Sequence, residues 1–300
     1  MADTSPQVTV VVAVKDDRRV CRLLASLAHQ TVPKATYEVV VVENGSAVLG
    51  DIVNREPGLV RYLHVPQANM AAARNVGLYA ARGRYLLLTD ADCVALPDWI
   101  EQMSRHLATG AVAAVGGAID KYQPKSLTQR YGITVVDGQR QLNYLPALRL
   151  PYVVGANAGF VTAVLREVGG FDELFKSAND VDVCYRLGLR RYTIGLAPEA
   201  VVLHEDRASA RQHYRRFREY AVYQALLYAK YKQVSGKRFV VNPYPFTRVA
   251  GAVVTAPRAL MRLWLGDPGP AARLLLQLVE AIGVWSGDIR GSLRYRQLYL

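Results

Sequence analysis

The sequence predicts an α/β fold built on a doubly wound sheet, and three observations carry that expectation. Residues 8–14 and 38–42 are continuous β-branched runs, the pattern of strands buried on both faces. Strand-like runs and segments of helical apolar spacing alternate as far as residue 107. A third apolar run, 85–89, ends in Asp90-Ala91-Asp92, two carboxylates around a small residue at the edge where open α/β sheets hold ligands.

In chain order, Val20, Leu23, Leu24 and Leu27 share one face of a helix expected over 16–29, which makes strand, helix and second strand a right-handed parallel unit. The second strand closes at Glu43-Asn44-Gly45-Ser46, where Asn-Gly signals a turn. A weaker helix is expected around 48–55, a short strand over 59–65, and an alanine-rich helix over 69–81 that delivers the chain to the central strand over 84–88. Pro97-Asp98 suits the start of a helix over 99–107, and 112–119 reads as a strand. Residues 120–150 are polar and aromatic without a readable period, and 151–160 are tight and glycine-punctuated. Helices are expected over 162–168, stopped by Gly169-Gly170, and over 180–189; strands over 192–196 and 200–203 follow, the second ending at His204. Helices over 208–231, 249–265 and 271–285 complete the chain.

Three hundred residues, half of them apolar, suffice for one large domain with an appendage. The N-terminal residues are polar and run straight into a strand, so no secretory signal is expected and the chain should stay in the cytoplasm. Cys21, Cys93 and Cys184 are odd in number, far apart and form no Cys-x-x-Cys, against a disulfide framework or a zinc site. Residues 1–204 hold 21 Lys and Arg against 19 Asp and Glu, whereas residues 205–300 hold 16 against 6. This shift sets an expected boundary between a domain over 1–206 and a basic helical region over 207–300, and it favours anionic partners. Arg258, Arg262, Arg273 and Glu280 interrupt the last apolar helices, so no membrane span is expected. Such helices lie on an anionic bilayer with arginine at the headgroups, or pack on the main domain or a partner chain.

Asp-x-Asp suits Mg²⁺ or Mn²⁺ already holding phosphates, but alone it is a common pattern. It stands here in an ordered set: the strand 8–14, Val42-Glu43-Asn44-Gly45-Ser46, Ala73-Arg74-Asn75, Thr89-Asp90-Ala91-Asp92, Gly169-Gly170-Phe171-Asp172-Glu173, Asn179-Asp180-Val181-Asp182, and 198–204. Together these resemble the inverting glycosyltransferase family 2 enzymes of the GT-A fold, over roughly 8–204. The resemblance implies a GT-A catalytic domain with a Rossmann-like mixed sheet, followed by the basic helical extension. It implies a metal-dependent hexosyltransferase that moves a sugar from a nucleotide-diphosphate-sugar donor to a hydroxyl of a carbohydrate or lipid-linked acceptor, in cell-surface polysaccharide or glycolipid synthesis. Mn²⁺ or Mg²⁺ is the implied cofactor.

By the same resemblance, Asp92 is the direct metal ligand and Asp90 faces the donor's ribose or bound water beside the ion. His204 either completes the metal shell or is a satisfied strand-end histidine. Asp180 is the base that takes the acceptor hydroxyl's proton, with Asn179 where the family usually carries Glu; Asp182 is a cap or ion-pair partner. Val14, Glu43, Asn44, Arg74, Asp90, Ala91, Gly155 and Asn157 are implied along the donor. Glu43 and Asn44 depart from the acidic turn that reads the nucleobase, leaving the base open, and Arg74 reaches the base or phosphates or is a helix-surface arginine. Gly155, Asn157 and Gly159 resemble a pocket-lining segment, although tight packing alone would explain the glycines.

No Gly-x-Ser-x-Gly, Walker loop or Rossmann glycine pattern is present, against hydrolase, kinase and dehydrogenase readings. A sugar nucleotidyltransferase would share the sheet and carboxylates but carry a glycine-rich loop after the first strand, where this chain has Lys15-Asp16-Asp17-Arg18-Arg19. A non-catalytic anionic-polymer-binding protein, using the arginine and tyrosine helix 208–231 on nucleic acid, would leave the acidic clusters without a purpose. A nucleic-acid partner is therefore not expected. The basic third is expected to dock on anionic lipid or a phosphate-bearing carrier, placing the protein on the inner face of the cell membrane.

Overall fold

The computed structural model describes residues 6–53, 60–132, 142–143, 150–236 and 238–299. The end of the helix expected around 48–55, the first residue of the strand expected over 59–65 and much of 120–150 lie outside the described residues. Strands are β1 (Val8–Val14), β2 (Tyr37–Glu43), β3 (Val60–His64), β4 (Tyr85–Thr89), β5 (Cys93–Ala95), β6 (Ala114–Lys121), β7 (Leu142–Asn143), β8 (Pro151–Tyr152), β9 (Asn157–Val161) and β10 (Ile194–His204). Helices are α1 (Val20–Leu27), α2 (Gly50–Val53), α3 (Met70–Ala80), α4 (Trp99–Ala108), α5 (Leu127–Tyr131), α6 (Thr162–Glu167), α7 (Asn179–Leu189), α8 (Ala210–Ser235), α9 (Tyr244–Trp264) and α10 (Gly269–Tyr295).

The chain divides into two compact units, the described parts of 1–122, 135–144 and 150–204, and those of 123–134, 145–149 and 205–300. The first is a mixed α/β unit around an eight-stranded sheet ordered β3-β2-β1-β4-β9-β6-β10-β5. From β3 to β4 all pairings are parallel, whereas β9 runs antiparallel to both β4 and β6, and β5 antiparallel to β10. The doubly wound reading thus holds for the first half, and the second half mixes directions. Alternation along the strands sorts the core into two layers. Val10 and Val12 of β1 pack with Leu23, Leu27, Trp99 and Met103 of α1 and α4, and Val11 packs with Leu78, Leu165 and Leu187 of α3, α6 and α7.

Two differences from the expected elements have local causes. The strands expected over 192–196 and 200–203 are one strand, β10, whose register on β6 shifts between Ala197 and Val201, where Pro198 interrupts it. The tight segment 151–160 leads into β9, whose last residue is Val161 and which is inserted between β4 and β6. Its first residue, Asn157, accepts a hydrogen bond from Trp99 Nε1 (2.8 Å) and donates to the carbonyls of Ala118 (2.7 Å) and Ala200 (2.8 Å).

The second unit is helical, with α10 packed on α8 and α9. Gly283, Gly287 and Gly291 let α10 approach α8 closely; a Cβ at Gly291 would stand 2.7 Å from that of Ala225. Glu280 lies buried in this unit, accepting from His213 Nε2 (2.9 Å) and from the Tyr244 hydroxyl (3.1 Å). Both later helices exceed the expected spans, α9 beginning at Tyr244 and α10 ending at Tyr295. Among the described residues, no helix is long and apolar enough to cross a membrane.

Candidate active site

At the carboxyl end of β4 the chain turns tightly, the Cys93 N–H returning to the Asp90 carbonyl at 3.0 Å, and enters β5 at once. The antiparallel register of β5 on β10 sets Cys93 opposite His204, so the last residue of β10 arrives beside Asp92. Asp92 Oδ1 lies 3.4 Å from His204 Nε2, and one ligand atom each from Asp90, Asp92 and His204 fall within 4.8 Å of one another. Asp92 and His204 are buried, and His204 Nδ1 has no hydrogen-bond partner among the described residues. Burial, and then the charges of Asp90 and Asp92, push the Cys93 thiol well above its usual range, which makes it a packing side chain rather than a nucleophile.

The second acidic stretch is brought to the first by Arg74. Its helix α3 is capped by Asn69, whose side-chain oxygen accepts from the N–H groups of Ala71 (3.0 Å) and Ala72 (3.4 Å). Arg74, buried in the next turn, places Nη2 3.3 Å from Asp90 Oδ1 and donates from Nη1 to Asn179 Oδ1 at 2.7 Å. Asn179 opens α7, and Asp180 follows it; Asp180 Oδ2 accepts from the Gly155 N–H at 2.8 Å and Oδ1 from the Val181 N–H at 2.9 Å. A Cβ at Gly155 would lie 2.6 Å from both Nη1 and Nη2 of Arg74, so any side chain there would push the guanidinium from its place. Ala178, immediately before α7, has φ 61, a left-handed conformation that costs an alanine energy and sets the direction in which Asn179 and Asp180 leave the loop.

Asn179 gives Arg74 a neutral acceptor, where a glutamate would have formed a second ion pair. The guanidinium charge is left to Asp90. Asp182 is fully buried and pairs with Arg186 at 2.9 Å, while Arg186 also donates to the Gly170 carbonyl at 2.6 Å, so this carboxylate braces α7 against the Gly169-Gly170 turn.

Of the residues expected along the donor, the structure gathers Arg74, Asp90, Ala91 and Gly155 with Asp92, Asp180 and His204. Val14 and Asn44 meet at the next strand ends, the Asn44 N–H donating to the Val14 carbonyl at 2.8 Å. Glu43 and Asn157 are committed elsewhere. The Glu43 carboxylate is buried and accepts from Val48 N–H (3.1 Å), Leu49 N–H (3.1 Å) and the Tyr62 hydroxyl (2.5 Å), so it shapes the loop after β2. The Asn157 amide is likewise consumed inside the sheet.

Two residues at the same edge escaped sequence reasoning. Arg19 ion-pairs with Asp17 at 2.6 Å and reaches Asp92 Oδ2 at 3.4 Å. Asp16, with φ 50, accepts the Ser46 N–H at 2.8 Å and so fastens the turn after β2; that hydrogen bond is the main cause holding its carboxyl below the ordinary range. The available signal was five charged residues in a row directly after β1, on the ligand-binding edge.

The donor set suits a hard divalent cation. Two carboxylates and an imidazole are typical ligands, and ligands at right angles around an ion at about 2.1 Å stand about 3 Å apart, close to the Asp92–His204 separation. The cationic side chains already on Asp90 and Asp92 show that these carboxylates attract positive charge.

The family model described as Glycosyl transferase family 2 matches residues 9–169, more than half of the chain. Among curated relatives, the chain is 30% identical over 212 residues to a pre-mycofactocin glycosyltransferase of Mycobacterium tuberculosis, covering 68% of this chain and 44% of that protein. It is 34% identical over 170 residues to the succinoglycan biosynthesis protein ExoO of Rhizobium meliloti, covering 53% of this chain and 44% of that protein. The chain thus spans under half the length of these two relatives. Among solved structures it is similar to a mannosyltransferase of Pyrobaculum calidifontis in complex with GDP-Man and Mn²⁺, with TM-score 0.64, 20% identity, and coverage of 94% of this chain and 87% of that one. At that identity the likeness establishes the shared GT-A fold. With the family model laid over β1 to β9 and over Arg74, Asp90 and Asp92, the chain belongs to glycosyl transferase family 2.

Proposed function

We propose that the protein transfers a hexosyl group, with inversion, from a nucleotide-diphosphate sugar to an acceptor hydroxyl, Asp180 acting as base. The observation that carries this reading is the arginine bridge: Arg74 contacts both Asp90 and Asn179, so the Asp-x-Asp turn and the start of α7 face one site. Asp90, Asp92 and His204 would hold Mn²⁺ or Mg²⁺, which when bound neutralises charge on the departing diphosphate. The acceptor oxygen attacks the anomeric carbon as the bond to the diphosphate breaks; the leaving oxygen keeps that electron pair, and the acceptor proton passes to Asp180. Gly155 and Val181 N–H groups fix the orientation of that carboxylate, and Arg74 ties the preceding residue, Asn179, to Asp90. Val14 and Asn44 would border the nucleoside, and Ala91 leaves room for the diphosphate between the two aspartates.

The name of the Rhizobium relative supports an acceptor in polysaccharide synthesis, and a lipid-linked sugar presents the same hydroxyl chemistry. The complex of the Pyrobaculum neighbour makes GDP-mannose with Mn²⁺ the first donor to try. The test is a thermal-shift panel of nucleotide diphosphates and their sugars, with Mn²⁺ and with chelator, followed by turnover of the donor that stabilises. Asp180→Asn should keep metal-dependent donor binding and lose turnover by about a thousandfold. Asp92→Asn should lose the metal-dependent stabilisation itself. Full turnover by Asp180→Asn would refute the assignment of the base.

A further inference from the structure

The outer face of the α9–α10 pair is apolar along its length. In α9, Phe246, Val249, Val253, Leu260 and Trp264 recur at helical spacing and share one exposed stripe, with Val254 and Met261 beside it. In α10, Leu275, Ile282, Trp285, Ile289 and Leu293 form a second exposed stripe. Trp264 is 86% exposed, Val254 79% and Leu293 78%. The rings of Phe246 and Trp285 meet edge-on with centroids 5.6 Å apart, which joins the two stripes into one band. From Phe246 to Trp264 the band runs roughly 27 Å along the helix. Single exposed leucines are ordinary on soluble proteins, but a continuous two-helix band marks an interaction surface.

Charge narrows the partner. Residues 244–295 contain Arg248, Arg258, Arg262, Arg273, Arg290 and Arg294, against three carboxylates, Asp267, Glu280 and Asp288. Glu280 and Asp288 are buried, and Asp267 is paired with Arg262 at 2.9 Å. At about 100° per residue, Arg258 and Arg262 border the α9 stripe beyond the row of Val254 and Met261, and Arg290 and Arg294 border the α10 stripe next to Ile289 and Leu293. The band is therefore edged with cations and carries no exposed, uncompensated carboxylate.

We propose that this band is the docking surface for a bilayer of acidic phospholipids, α9 and α10 lying flat, their apolar rows at the headgroup–acyl boundary and the arginines on the phosphates. Neither helix is long and apolar enough to cross a membrane, which leaves the surface-lying mode. Two tryptophans and a phenylalanine in the band suit the interfacial layer, where amphipathic rings settle. A second copy of the chain would fit poorly, because pairing two such faces brings arginine borders together with no acid between them beyond Asp267, which Arg262 already holds. The inference stands on the second unit alone and does not depend on sugar transfer.

The full chain is co-sedimented with vesicles of phosphatidylcholine alone and of phosphatidylcholine with phosphatidylglycerol, at low and high salt. Binding is expected to the acidic vesicles and to weaken with salt. Tryptophan emission should shift to the blue and be quenched by brominated acyl chains, a change that Trp264→Phe with Trp285→Phe removes while the buried Trp99 stays silent. Leu260→Glu should lower binding by about tenfold or more, and Arg258→Ala with Arg262→Ala by about tenfold on acidic vesicles. These positions are exposed, so circular dichroism should be unchanged. Equal binding to both vesicle types, or absence of any tryptophan shift, would overturn the proposal. So would a dimer in light scattering that Leu260→Glu disperses, which assigns the band to a second copy.

Discussion

Arg74 divides its guanidinium between Asp90 and Asn179, and the space it needs is supplied by the missing side chain at residue 155. Gly155→Ala should therefore displace the guanidinium, and the Gly155 N–H that orients Asp180 with it. An overpacked methyl costs about 1–3 kcal/mol of stability. A shift of an ångström in the site costs about a hundredfold in kcat/KM. Comparing denaturation midpoints with turnover separates the two; unchanged turnover would show that Arg74 does not position the site. Arg19 invites a second experiment. Its guanidinium stands 3.4 Å from Asp92 Oδ2, where it competes with an incoming cation. Arg19→Ala should tighten Mn²⁺ binding to the donor-free protein several-fold, a modest gain because part-exposed ion pairs are weak. Titration by calorimetry or by the Mn²⁺ electron paramagnetic signal measures it, and weaker binding would mean that Arg19 supports the ion pocket instead. Asp90, Asp92 and Asp180 could be singled out because each stands in an ordered set of stretches that resembles the family, and not from its own residue type alone. Arg19 could not, since a run of five charges does not say which one folds back over the strand ends.

At the scale of elements, β9 joins the two halves of the sheet by backbone pairing to β4 and β6, and the Asn157 amide adds side-chain ties to that join. Asn157 makes three buried hydrogen bonds, from Trp99 Nε1 of α4 and to the carbonyls of Ala118 on β6 and Ala200 on β10. Asn157→Ala removes three buried hydrogen bonds at once, at a cost of about 4 kcal/mol. Urea denaturation followed by circular dichroism would record it, and a loss below about 1 kcal/mol would mean that the sheet can re-pair those groups. The parallel strands β1 and β2 were legible because burial on both faces writes a continuous β-branched run. The segment Asn157–Val161 hides its strand, since Asn-Ala-Gly carries neither alternation nor β-branching and its polar residue faces inward. For the same reason Asn157 looked like a ligand group: an asparagine between glycines has the same letters whether it meets a donor or a carbonyl of its own sheet.

For the molecule as a whole, the sequence displays the excess of positive charge in the last third but not where the few carboxylates of that third go. Helical spacing identifies polar positions; only packing decides that Glu280 and Asp288 turn inward and leave the exposed charge of α10 to arginine. This has a consequence for pH. Burial raises the Asp288 carboxyl to about 7, against the hydrogen bond it accepts from Asn242 Nδ2 at 3.0 Å, and its Oδ1 has no partner among the described residues. The neighbours around Asn242 in the same network, Gln224 and Tyr299, are neutral. With the folded value raised above the unfolded one, the folded state holds the proton more tightly. The contribution of this group to stability is complete below about pH 4 and is lost as pH rises through about 7, for a total of about 4 kcal/mol. Hydrogen exchange of α10 amides between pH 5 and 8, corrected for intrinsic rates, should show protection falling across that window in the native protein. Asp288→Asn, which keeps the shape and removes the ionisation, should flatten the profile and leave α10 better protected at pH 8 than in the unsubstituted chain. A profile equally steep with asparagine in place would assign the dependence to another group.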